Sequence, residues 1–260
     1  MAPTHWARQV TFVLAAAGSI LLGMAGGAMA LGDSPDVPRL VSFGGACRNC
    51  GLAGRRLVGA KFVGADFAGA SLVGADLRGA SFIGSTFTGA DLAKSDVRGA
   101  SMIGGNFLLA NFSDAKLAGL EAHAVLFLNA NFTRVTATFV DMTASNMTRA
   151  DAREANFQRG NFTHATLVSG RFQGASLQNA KFEDANLTDA DFTGADFREA
   201  DFAGATLDGA TLSGANLQGA RNLTQRQLDV ACEDARTRLP DGLSAHACGG
   251  RGRRRDLPAD

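Results

Sequence analysis

Four cysteines, Cys47, Cys50, Cys232 and Cys248, are the first residues whose type and spacing could do chemistry. A C-x-x-C pair can hold zinc, exchange electrons as a dithiol or close a disulfide. Histidine is scarce: beyond His5 near the start, only His123, His164 and His246 occur, and a metal needs several such ligands converging. Aspartate is plentiful, but general acid–base work needs two carboxyl groups facing each other in a cleft. No H-E-x-x-H, G-x-S-x-G, phosphate-binding glycine loop or zinc-finger spacing is present. These residues predict no enzyme, no cofactor and no metal, and the question becomes which elements hold them.

Those elements are written in a five-residue period. The chain has 260 residues, balanced charge, 32 Gly, 18 Phe and no Tyr. Using Phe but never Tyr places rings where a phenolic hydroxyl would find no partner. From Cys50 to Gly219 a large apolar residue recurs at one position, i: Leu52, Leu57, Phe62, Phe67, Leu72 and onward to Leu217. Position i−2 is small, usually Ala; i−1 is mostly Asp, Asn, Ser or Thr; i+2 is most often Gly. Ala122, Ala137 and Ala152 are the exceptions at i, with Leu120 and Val135 as larger residues at i−2 of the first two.

A helix cannot use this pattern, because five residues advance about 140° and scatter the apolar positions over every face. An extended segment can. Positions i−2 and i point to one side and i−1 to the other, and Gly at i+2 allows a corner before the next unit. Units such as Ala65-Asp66-Phe67-Ala68-Gly69 and Ala215-Asn216-Leu217-Gln218-Gly219 resemble the pentapeptide-repeat family. The resemblance implies an all-β solenoid, a right-handed quadrilateral β-helix with four pentads per coil. Residues 20 apart should then stack, giving a Phe67, Phe87, Phe107, Phe127 column and another through Phe162, Phe182 and Phe202. Asp76 should stack with Asp96, and Asp191 over Arg171.

A solenoid needs capped ends. The pentad register fails at Arg221-Asn222, and Thr224 with Gln227 forms a capping box flanked by Leu223 and Leu228. Leu228, Ala231, Cys232, Ala235 and Leu239 follow at helical spacing, predicting a short C-terminal capping α-helix within residues 220–243, closed by Pro240-Asp241-Gly242. Residues 31–49 are assigned to a linker and loose N-terminal cap, and 244–260 to a disordered tail. One zinc site using all four cysteines is ruled out by a stack roughly 40 Å tall. Two cap disulfides, Cys47–Cys50 and Cys232–Cys248, are one reading; buried free thiols are the other.

Residues 1–30 read as a secretory signal: a weakly basic start, an apolar stretch and Ala28-Met29-Ala30 as the cleavage site. The stretch is also long enough for an uncleaved membrane anchor. Either way the body of the protein is expected outside the cytoplasm, periplasmic or secreted, with no membrane contact after cleavage.

Function is left to outward residues that the repeat does not dictate. Val63, Ile83, Ile103, Leu108, Leu109, Leu126 and Leu128 fall in neighbouring coils and read either as a partner surface or as scattered apolar residues. Phe139 lies near a corner. Residues 181–210 are acidic, whereas Arg149, Arg153, Arg159 and Arg171 mark locally basic pentads. Near-zero net charge argues against nucleic acid as a partner. The expected function is an exported, non-enzymatic scaffold with an unknown protein partner or self-association. Resemblance to the acidic, gyrase-binding branch of the family supplies an alternative, a DNA mimic, which requires a cytoplasmic chain.

Overall fold

The computed structural model describes residues 41–43 and 45–245. From Ala46 to Arg221 the backbone pairs in parallel with itself at a spacing of 20 residues, Ala46 with Asp66, Asp66 with Thr86, and so on to Asp201 with Arg221. Each coil holds four pentads, and the molecule is an all-β solenoid. Two stretches qualify as strands, β1 (Val41–Phe43) and β2 (Lys61–Val63), which pair in parallel. Elsewhere the contact between coils is one bridge per pentad.

The repeat follows from where its five N–H groups go, since each needs a partner. In the pentad around Leu92, Ala90 N–H donates to the Phe87 carbonyl at 3.0 Å and closes a turn. Asp91 donates back to Ala70 (2.9 Å); Leu92 and Lys94 donate forward to Asn111 (2.7 Å) and Ser113 (2.8 Å). The fifth N–H, on Ala93, is outside this ladder and donates to Asp91 Oδ1 at 3.0 Å. The same contact joins Leu108 to Asn106, Thr148 to Asn146 and Thr193 to Asp191. Asp and Asn occupy i−1 because their short side chains reach the backbone two residues on.

The turn bond from i+3 to i, with positive φ at i+2, is the type II geometry that favours glycine. Gly84 (φ 61°) and Gly104 (φ 64°) meet that demand. Every turn from Ala124 to Ser169 instead carries a non-glycine residue at φ between 52° and 58°.

Inside, the columns predicted by the period are present. Phe67, Phe87 and Phe107 stack with centroids 4.8 and 4.7 Å apart, and Phe162, Phe182 and Phe202 with 5.2 and 5.5 Å. Neighbouring columns meet edge to face, as Phe62 meets Phe67 at 5.0 Å. Both arrangements suit the ring quadrupole. Space beside Ala152 is taken by Phe157, whose ring lies 6.4 Å from Phe132 and 6.3 Å from Phe172. Phe157, from the adjacent column, lies between those two rings.

Both ends depart from the sequence reading. The first coil reaches back to Val41, into the segment assigned to a linker and loose N-terminal cap, because backbone pairing with β2 needs no large side chain at Ser42. At the other end the capping helix is one turn, α1 (Gln225–Leu228), with its capping box formed as expected. The predicted continuation through Leu239 is absent. Cys232 bridges Thr211 and Arg238 bridges Asn216, so residues 229–239 complete an irregular last coil. Leu228 is buried, Leu223 and Leu239 pack on the core, and Glu233 occupies an inward position with no exposure. The apolar spacing that reads as helical is a pentad spacing stretched by single insertions. Unpaired carbonyls of the coil below favour the ladder over a longer helix.

Candidate binding surfaces

Cys47 and Cys50 are joined in a disulfide, with Cα atoms 5.3 Å apart. They occupy the two inward positions flanking a turn of the first coil and are both buried. Cys232 is also disulfide-bonded, while Cys248 lies outside the described residues. Residues 1–30, read from sequence as a secretory signal, and residues 246–260 likewise lie outside them, while Ser244, at the start of the expected tail, hydrogen-bonds Gln225.

The charged candidates disperse into pairs. Arg78 donates from Nε and Nη2 to Asp76 at 2.8 and 2.7 Å, and Arg98 repeats this on Asp96 one coil up. Each guanidinium, helped by the backbone N–H, holds its carboxyl below the usual range. Asp76 and Asp96 do pair in the ladder. Arg171 also bridges Asp191 through the backbone, but its guanidinium turns to Asp151, 3.5 Å away, which Arg153 already contacts at 2.7 Å. Asp191 instead accepts from Gln173 and Thr193. Two of the four arginines of the basic pentads thus share one carboxylate.

Neither described histidine is alone: His123 Nε2 lies 3.1 Å from Asp141 and His164 Nδ1 lies 3.8 Å from Asp184. Among the described residues no three His, Cys, Asp or Glu side chains converge as a metal site would require. The acidic residues of 181–210 are spread over six pentads, one and a half coils, and Asp191, Asp196 and Asp201 bind turn N–H groups. Among the described residues no helix is long and apolar enough to cross a membrane.

The apolar candidates form two groups. Val63, Ile83 and Ile103 follow one another up a single column, tied by Gly64 N–H to the Ile83 carbonyl and Gly84 N–H to that of Ile103, both 2.9 Å. Leu108 and Leu128 are stacked one coil apart in the next pentad column. Leu126 stands beside Leu128, across the buried Phe127, and is 44% exposed; Leu109, at the turn, is 58% exposed.

A third surface was only touched by the sequence. Phe139 sits at a turn with φ 56° and is 59% exposed. The Arg159 guanidinium, from the turn above, lies 5.2 Å from its ring centroid. Thr138, Phe139, Gln158, Arg159, Gln178 and Asn179 line an open depression of about 250 Å³. Gln178 and Asn179 carried no signal of their own; stacking 139, 159 and 179 at the 20-residue period would have found them.

Solved structures that resemble this chain include pentapeptide repeat proteins. A trypsin-treated form of QnrB1, a plasmid-mediated fluoroquinolone resistance protein, is 19% identical over 76% of this chain and 92% of its own, with TM-score 0.53. HetL, a pentapeptide repeat protein involved in heterocyst differentiation regulation from the cyanobacterium Nostoc sp. strain PCC 7120, is 25% identical over 76% and 92%, with TM-score 0.40. No curated protein matches the sequence. The family model for pentapeptide repeats matches residues 60–99, 110–149, 130–168, 145–184 and 185–221, in eight copies. Those ranges span more than half of the chain, and the protein belongs to the pentapeptide-repeat family.

Proposed function

We propose that this protein is an exported, non-enzymatic scaffold that presents a rigid surface to a protein partner or to a second copy of itself. The observation that carries the reading is the leucine group Leu108, Leu109, Leu126 and Leu128. It stands on the outside of coils whose own core and turn positions are already filled. Leu109 and Leu126 are exposed and Leu108 and Leu128 half-buried, and a contiguous apolar group of this kind marks an interaction surface. Val63, Ile83 and Ile103 extend the same end of the molecule. A right-handed, quadrilateral course of the coils belongs to this reading, as it follows from the family resemblance.

Export rests on residues 1–30 and on the cysteine pairing, which suits an oxidising compartment. Cell fractionation with N-terminal sequencing tests it. A mature chain beginning at Leu31 outside the cytoplasm is expected. A cytoplasmic chain with an intact N-terminus would overturn export and reopen the topoisomerase-binding alternative. For the surface, crosslinking of the mature protein in its host, repeated with Leu126→Glu and Leu128→Glu, should lose one specific adduct. An unchanged pattern assigns the contact elsewhere.

A further inference from the structure

The depression around Phe139 is separate from the leucine group, and two features set it apart from ordinary surface. Large apolar residues are poor choices at positive φ, where Cβ crowds the backbone. Among the described non-glycine turn residues with positive φ, Leu109 and Phe139 are the two large apolar ones. The same turn position one and two coils below is Gly119 and Gly99, so the array supplies the favourable residue nearby. Phe139 gains little burial for its strain, since most of the ring remains in solvent.

Arg159 is the second feature. Arg78, Arg98, Arg134, Arg153 and Arg198 each chelate an aspartate, while Arg159 has no carboxylate within ion-pair distance among the described residues. Its guanidinium rests on Phe139 instead, a stack that orients the fork and leaves its charge uncompensated.

From these we infer that the depression is a binding site for an acidic sugar, a single pyranose ring bearing one carboxylate. One unpaired guanidinium matches one carboxylate in charge and in fork geometry; a phosphate dianion would leave charge unmet, as the lining holds no second cation. Thr138, Gln158 and Asn179 surround it with groups that donate and accept, as sugar hydroxyls do. The exposed part of the Phe139 ring offers an apolar platform for the C–H face of the ring. The cavity falls below the roughly 300–1,000 Å³ of sites for drug-sized ligands, which limits the occupant to one ring at a time.

The test is titration of the folded, mature chain with D-galacturonate, followed by amide NMR, beside D-galactose and N-acetylalanine. Galacturonate should saturate at a dissociation constant on the order of millimolar, with shifts confined to residues 138–139, 158–159 and 178–179. Galactose, lacking the carboxylate, and N-acetylalanine, lacking the hydroxyls, should each bind at least about tenfold more weakly, a factor set by losing one charge-assisted contact or several neutral ones. Arg159→Gln should abolish the preference for galacturonate over galactose. Phe139→Gly should weaken galacturonate about tenfold while the thermal midpoint stays level or rises, which separates loss of the site from loss of the fold. No saturable galacturonate shift, equal affinity in Arg159→Gln, or equally tight N-acetylalanine would each overturn the proposal.

Discussion

The coils built from residues 52–104 and those built from 122–169 share one backbone and follow different rules of residue choice. In the first, every turn position but Lys94 is glycine, and every inward i position holds a large apolar side chain. In the second, no turn is glycine, and three of the i positions are the alanines Ala122, Ala137 and Ala152. The ladder hydrogen bonds are nevertheless of equal length in both: Phe82 N–H to Ser101 is 2.7 Å, and Phe132 N–H to Asp151 is 2.6 Å. Hydrogen bonding between main chains does not depend on the side chain carried, so the solenoid tolerates substitution at its turns at the cost of local strain. The freed turn positions are where Phe139, Arg149, Arg159 and His164 reach solvent. The consensus coils hold the stack together; the divergent coils carry its distinctive surface.

The largest test of this contrast is in the core. Phe157 fills the space beside Ala152 and stands in the shell of three other side chains, so Phe157→Ala should cost about 3–5 kcal/mol, read by denaturant unfolding. If packing in the divergent coils were loose, the loss would be near 1 kcal/mol, the transfer value of about one methylene, and the proposed compensation would be wrong.

A second test separates consensus from structure. Gly170 stands at i−2, where alanine is the rule, and a consensus argument makes Gly170→Ala stabilising. A Cβ there would lie 2.6 Å from Phe172 Cε2 and 3.0 Å from the Leu167 carbonyl. Overpacking of this kind costs about 1–3 kcal/mol, and the thermal midpoint should fall.

The turns give a smaller effect of opposite sign. Left-handed backbone costs an ordinary residue about 1–2 kcal/mol, and an exposed cation–π contact returns about 0.5–1. Phe139→Gly should therefore be neutral or stabilise by up to about 1 kcal/mol. The reverse change, Gly84→Phe, meets no steric contact at Cβ and should destabilise through the backbone alone.

The smallest effect is electrostatic and belongs to the consensus coils. A native carboxyl that binds its proton less readily than the unfolded chain stabilises the fold above its ordinary value near 3.9. That contribution disappears as pH falls through the depressed native value. Hydrogen bonds from Arg78 place Asp76 in this class. Asp76→Asn should flatten the decline of the thermal midpoint below about pH 4 and change stability at pH 7 by no more than about 1 kcal/mol, the usual limit for an exposed pair.

Much of this was legible in one dimension. The pentad period alone implied extended units and an outward i−1 column, because a strict short repeat admits few backbones; the four-pentad coil and its stacked phenylalanines came from the family resemblance. It could not reveal why i−1 is Asp or Asn, since the N–H that those side chains satisfy is left over only after the ladder has formed. It misread the last coil as a helix, because insertions turn a spacing of five into one that resembles three and four. It named the seven apolar candidates from Val63 to Leu128 without dividing them, and treated Asp191 and Arg171 as partners although Asp151 draws the guanidinium away. The chain's own order thus determined which residues face inward, through a period too regular for any helix. Only the tertiary structure decided which outward residues meet, because neighbours on this surface are 20 residues apart in sequence and their side chains choose among several coils.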